Sequence, residues 1–203
     1  MDTITQRGAL HLHCQPNKVG CAFTFAYRAE NHGPVPLFVM DAMPSVDPET
    51  HAVRANAQAT AVILRADGVA VLGKFIAPLP QDRVLLAPDL PLCARVEPGQ
   101  AIERELQVPL PFAEASPYFP DLRLREYEIV EVVGIVFAIG YFAADTRGLY
   151  AAQAAYAPEY HVLSPTVAPV VAGLAHQALP VKRLEILKRK DAFPREIKSH
   201  EAW

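Results

Sequence analysis

Residues 21–29 (CAFTFAYRA) alternate cleanly between two faces. Cys21, Phe23, Phe25, Tyr27 and Ala29 share one face, and Ala22, Thr24, Ala26 and Arg28 share the other. A period of two marks a half-buried strand. Residues 8–14 (GALHLHC) form a shorter candidate strand, with a turn over 15–20, and residues 37–40 (LFVM) begin another. The sharpest local signal is TAVILRADGVAVLGKFI at 60–76. Two β-rich runs flank Asp67-Gly68, a pair that tolerates the positive φ of a tight turn, so an antiparallel hairpin is expected.

Further strands are expected at 92–96, at 101–110 with Ile102, Arg104, Leu106 and Val108 in one phase, at 122–143 with a break at Gly134 or Gly140, and at 180–188 with Leu184 and Ile186 inward. Residues 44–58 read as a polar excursion. Prolines at 78, 80, 88 and 91, and at 109, 111, 117 and 120, mark two loops, because proline cannot donate to a central ladder. The best amphipathic helix candidate, 149–157 (LYAAQAAYA), is short.

Seven to nine short strands with Pro/Gly-rich turns point to an all-β, antiparallel, two-sheet sandwich. Over residues 8–145 the rhythm resembles an immunoglobulin-like or fibronectin-type domain. The residues carrying that likeness are FTFAYRAEN at 23–31, the ADG hairpin, and RVEPGQAIERELQVPLP at 95–111. The resemblance is architectural: the Cys–Trp–Cys hallmark of antibody domains is absent, since the only Trp is Trp203. It implies a fold and no activity.

Composition changes the picture in three ways. The chain has 203 residues, 19 Lys+Arg against 22 Asp+Glu, a net charge of −3 and a pI near 6.2, which excludes the basic excess of a general nucleic-acid binder. The longest apolar run, Val132–Ala144, has 13 residues where a spanning helix needs about 20, so no membrane partner is expected. No secretory pattern opens the chain, and the Ala- and Pro-heavy usage points to a bacterial, cytoplasmic setting.

Charge is distributed unevenly. From Leu149 to Val181 the only ionised side chain is Glu159, while residues 181–203 carry seven Lys/Arg against four Asp/Glu. The chain is therefore read as one domain with three parts: a sandwich body at 1–148, an uncharged, largely non-regular excursion at 149–180, and a final strand with a basic tail at 181–203. A charge-poor, aromatic stretch needs cover, either on the body or on another chain.

Chemical motifs are few. His11 and His13 share a strand face, roughly 6.5–7 Å apart by strand rise, and are the only candidate metal pair. GVAVLGKF at 68–75 has P-loop spacing but lacks the Ser or Thr after Lys74, and its first glycine belongs to the hairpin turn. Cys14 and Cys21 flank the 15–20 turn, where a disulfide is weighed against two thiols; Cys93 reads as core. Glu126 and Glu128 read as a solvated rim. Lys182, Arg183, Lys188, Arg189 and Lys190 form a basic cluster, read first as edge protection and second as an acidic-partner dock.

No catalytic residue and no cofactor is assigned. The expected function is a non-catalytic interaction or assembly module that binds another protein chain or itself, through Tyr150, Tyr156, Tyr160, His161 and Trp203. The alternative is an enzyme or metal protein with a pocket between the body and residues 145–181, drawing on Asp145, Glu159, Tyr160 and His161.

Overall fold

The structure, a computed structural model, describes residues 8–80, 90–165, 172–181 and 184–197. Among these the fold is all-β. The strands are β1 (Leu10–Val19), β2 (Ala22–Asn31), β3 (Leu37–Val46), β4 (Val53–Asn56), β5 (Ala61–Leu64), β6 (Val69–Lys74), β7 (Leu92–Val96), β8 (Ala101–Pro109), β9 (Tyr127–Val132), β10 (Gly134–Ala143), β11 (Leu149–Ala154), β12 (Ala157–Pro165), β13 (Gly173–Leu179) and β14 (Leu184–Arg189). A single 3-10 turn at Leu124–Glu126 interrupts them. No described helix is long and apolar enough to cross a membrane.

β1, β2 and β8 form a three-stranded antiparallel sheet. Its inner face carries Phe23, Phe25, Tyr27 and Ala29, in the phase the alternation predicts. These side chains pack on Leu37, Val39, Leu72, Phe137 and Ile139 of a large sheet ordered β11-β12-β7-β3-β10-β6-β5. Phe137 sits at the centre, with its ring centroid 5.0 Å from Phe25 and 4.9 Å from Tyr27. Each such buried aromatic contributes about 1.5–3 kcal/mol by leaving water. The opposite face of the large sheet is covered as well, by Phe119 and Phe193 against Val71 and Phe75. Burial on both faces explains why 132–144 reads as a continuous apolar run.

The hairpin at Asp67-Gly68 is present: β5 and β6 pair antiparallel, and Gly68 has φ +81°. The expected break falls at Val133, beside Gly134, and separates β9 from β10.

β10 has an unusual set of neighbours. β13 lies antiparallel to it over 135–141. On the other edge, β6 pairs parallel with 134–139 and β3 pairs antiparallel with 141–143. β6 and β3 therefore follow one another along one edge and part near Gly140, where an added Cβ would meet Met40 Sδ at 2.5 Å. This fork holds the buried ionic cluster described below.

Five expectations need correction. The arrangement is not purely antiparallel and not two sheets: β6–β10 is parallel, and β9–β14 forms a third, two-stranded sheet. Residues 149–157 are not helical but a hairpin arm, because β12 supplies a ladder that the local sequence does not reveal. Residues 149–180 are not a non-regular excursion: β11 and β12 extend the large sheet, and β13 places Leu174, Ala175 and Leu179 in the core. Lack of charge there goes with strand burial in β13. The 44–58 excursion contains β4, paired with β3. The chain does not turn at 15–20: β1 continues to Val19 with a register shift between Pro16 and Lys18. That places Cys14 opposite Tyr27, while Cys21 is exposed beyond the strand's end; both are thiols. Most of the 77–91 loop, together with Lys182, Arg183 and Trp203, lies outside the described residues.

Candidate functional site

Two regions differ from an ordinary sheet, one inside and one at an edge. The inner one begins with Asp41. β3 bulges between Met40 and Ala42, and Asp41 falls in phase with Leu37 and Val39, facing the core. It is fully buried. Lys74, the last residue of β6, is also buried and faces the same space. Arg104 reaches in from β8, in phase with Leu106, and Tyr27 from β2.

These groups saturate one another. Tyr27 Oη donates to Asp41 Oδ1 at 2.9 Å. Lys74 Nζ donates to Tyr27 Oη at 3.0 Å and to Asp41 Oδ1 at 3.3 Å. It also donates to the main-chain carbonyl of Asp41, a group that the fork removes from the ladder with β10. Arg104 grips Asp41 Oδ2 through Nε at 3.0 Å and Nη2 at 2.7 Å. Tyr160 of β12 is buried beside them, its hydroxyl pushed up by burial and by the Asp41 carboxylate. Burial lowers Lys74 to about 8, with Asp41 opposing that fall and Arg104 adding to it. Burial and Asp41 together push the Tyr27 phenol well above its usual range, so it stays neutral and donates.

A second buried carboxylate, Glu114, ties down the C-terminal segment. Its Oε1 accepts from Leu64 N at 3.2 Å and Arg195 Nε at 2.8 Å. Its Oε2 accepts from Arg189 N at 2.8 Å and Arg195 Nη2 at 2.6 Å. The Arg189 guanidinium lies 5.3 Å from the ring centres of both Phe119 and Phe193. The basic cluster is therefore not an open dock where it is described. Arg189 is buried, Lys188 pairs with Glu128, and Lys190 donates to the Arg125 carbonyl.

The edge region is the β11–β12 hairpin. Register pairs Tyr150 with Ser164 and Ala152 with Val162, so these four side chains share one face. All four are exposed, Tyr150 at 67% and Val162 at 41%. β11 ends the sheet, and among the described strands only β12 pairs with it. Its sequence, LYAAQA, has no charge and no proline.

Several other sheet edges are closed or guarded. The β5 edge is bridged by Ala115, and Glu114 accepts from Leu64 N. The β8 edge is capped by the Gln58 side chain, which contacts Glu105 O and Gln107 N. The Gln177 amide caps the β1 edge at Cys14. β14 is bonded to Phe112 O and Glu114 N. β9 carries Glu128 and Glu131, and β4 carries Arg54. Native sheets commonly blunt their edges by such means; β11 uses none of them.

The other sequence candidates scatter. Tyr156 is exposed at the hairpin turn. Tyr160 points into the ionic cluster rather than outward. His161 is half-buried opposite Cys93, its ring 5.2 Å from Phe38, and its Nδ1 is buried without a hydrogen-bond partner. Asp145 and Glu159 are exposed. His11 stacks on His32 at 4.0 Å, and His13 shares a 3.2 Å hydrogen bond with Gln15. Among the described residues no group of three or more His, Cys, Asp or Glu is gathered to hold a metal ion. A shallow concavity of about 460 Å³ lies on the outer face of the three-stranded sheet, where Arg28 already pairs with Glu30 and Glu103.

The sequence reading passes over Asp41 and Glu114 and meets Lys74 only in the incomplete P-loop spacing. Its available signal was a lone charge inside an apolar run, as in LFVMDAM and VAVLGKFI. Comparison of the chain with protein-family models, curated proteins and solved structures yields no match.

Proposed function

We propose that this protein is a non-catalytic interaction module, a subunit or accessory chain, that docks an extended segment of another chain along β11. The observation that carries the reading is the uncharged, unguarded β11 edge beside the exposed Tyr150–Val162 face. An edge strand presents a row of backbone donors and acceptors, and strand addition satisfies them. Exposed aromatic and small apolar side chains beside that row supply contact area. Tyr160 has a supporting role here, because it roots the hairpin in the core beside Asp41. The immunoglobulin-like reading of the fold belongs with this proposal. It is supported by the layering of the β1-β2-β8 sheet on the large sheet around one shared core.

The enzyme reading would use the space between the body and residues 145–181. The groups that meet there are Tyr160, Arg104 and Asp41. Their mutual bonding leaves Asp41 with no spare acceptor for a reacting proton. That favours the module.

A photo-crosslinking side chain at position 150 tests the reading. A covalent adduct with a polypeptide is expected from position 150 and not from position 133, where Val133 is exposed on a different part of the molecule. Equal yields at both positions, or none at 150, would overturn it.

A further inference from the structure

We infer that the β11–β12 arm carries an acid release: a second proton on the His161 ring unseats the arm from β7. Three observations meet at this residue. The arm joins the large sheet through a single ladder pair, His161 with Cys93, whereas six pairs join β11 to β12 and five join β3 to β7. The imidazole is half-buried in phase with Leu163, beside the apolar cluster of Phe38, Met40, Cys93 and Phe142. Among the described residues, its Nδ1 is the one buried side-chain nitrogen or oxygen without a hydrogen-bond partner. The inference goes beyond docking at β11 and does not rest on it.

A neutral imidazole carries one proton, and with that proton on Nε2 the sealed Nδ1 is only an unused acceptor. A second proton makes Nδ1 a charged donor against hydrocarbon, and a buried unpaired charge is far costlier than a buried unpaired acceptor. The groups packed around the ring do not offset that charge. From β3 come Phe38, with 5.2 Å between ring centres, and Met40; β10 supplies Phe142. From β7 come Cys93, a thiol that burial and the Asp41 carboxylate hold protonated, and Arg95, a second cation, 6.0 Å from the Phe38 ring centre and engaged with Glu97. β11 sets the neutral Gln153 opposite His161, where it donates to the Pro158 carbonyl. Glu159, two positions along β12, is exposed and leaves Nδ1 unpartnered. Asp41 lies on the other face of β3 and is taken up by Tyr27, Lys74 and Arg104. Water is therefore the acceptor that a protonated ring must reach, and one ladder pair beside it resists the move. Tyr160 and Leu163, buried on either side, oppose the release, so the arm opens in a fraction of molecules rather than in all.

Amide hydrogen exchange of the full chain, read as protection factors at about pH 7.5 and about pH 5, is the test, since imidazole changes charge over that span. In the wild type the protection of the β12 amides is expected to fall roughly ten- to a hundredfold at the lower pH, the scale set by a stranded buried donor. The β2–β8 ladder, which contains no histidine, should keep its protection. In His161→Phe, where an apolar ring of similar size packs on Phe38, the β12 amides should be protected equally at both pH values. Equal wild-type protection at the two pH values overturns the inference, and so does an acid loss that His161→Phe retains. Photo-crosslinking at position 150 at the higher pH, with the arm seated, tests docking separately. Capture there without an acid effect on β12 removes the release alone, and an acid effect without capture removes docking alone.

Discussion

The β3/β6 fork and the β11 edge are opposite answers to the same problem, a backbone that loses its ladder. At the fork, ionised side chains are drawn in: Lys74 takes the Asp41 carbonyl, and Asp41 gathers Tyr27, Lys74 and Arg104. At β11 there is no ionised side chain, and among the described strands nothing pairs with its outer ladder. Buried charge with every valence filled indicates a structural lock, since an unmatched buried charge is so costly. An edge without charge is, on the proposed reading, the place that a partner strand would complete. Charge near a broken ladder thus separates the structural lock from the edge proposed to dock a partner.

Four perturbations bear on that contrast. The largest effect is expected from Asp41→Ala, which leaves Lys74 and Arg104 facing each other without their carboxylate. Denaturant unfolding should show a loss of roughly 3–5 kcal/mol, the usual penalty for stranding a buried charge. A loss below about 1 kcal/mol, within the ordinary range of a single substitution, would remove the lock from the account. Next is Glu114→Gln, which weakens four hydrogen bonds holding Leu64, Arg189 and Arg195. It should cost about 1–3 kcal/mol, because Arg195 then lacks a charged acceptor.

A third perturbation is pH. Lys74 is lowered in the folded state, from an ordinary lysine value of 10.5 to about 8. Between those values the unfolded chain holds a proton that the folded chain has shed, so folding stability should rise with pH across that window. Below pH 8 both states are protonated and the cost of the buried ammonium is fully present. Paired unfolding curves of the wild type and Lys74→Met, taken from pH 8 to 10, should therefore diverge in favour of the wild type as pH increases. Parallel curves would mean that the amine titrates as if exposed. The smallest effect on stability belongs to Ala152→Lys, within about 0.5 kcal/mol as for surface changes. Its consequence should appear in association alone, which is what distinguishes the edge from the fork.

Much of the fold was legible in the chain, for definite reasons. The alternation at Phe23–Ala29, the Asp67-Gly68 turn and the two-sided burial of β10 each leave a local mark. The parallel β6–β10 pairing leaves none, because pairing direction is a long-range property. The 149–181 segment misled in an instructive way. Uncharged sequence can mean either a core strand or an open edge, and this segment contains both: β13 with buried Leu174, and β11 with exposed Tyr150. Of the site, Tyr150 and Tyr156 were visible as aromatics in a neutral stretch. Tyr160 was visible too but points the other way, since the bulge between Gln153 and Ala154 shifts the hairpin register beside it. Arg104 was seen in phase with Ile102 and Leu106; Asp41, its partner across 63 positions of chain, could be tied to it only by the fold.

Amide hydrogen exchange along β11 bears most directly on the contrast between a sealed fork and an unfinished edge. In the wild-type chain bound to the polypeptide captured at position 150, the β11 amides should exchange slowly, like those of an interior strand. In Ala152→Lys they should speed up, while the β3 amides around Asp41 keep their protection. If β11 exchanges fast in the wild type even with that polypeptide bound, and the substitution changes nothing, no chain completes that edge and the account is contradicted.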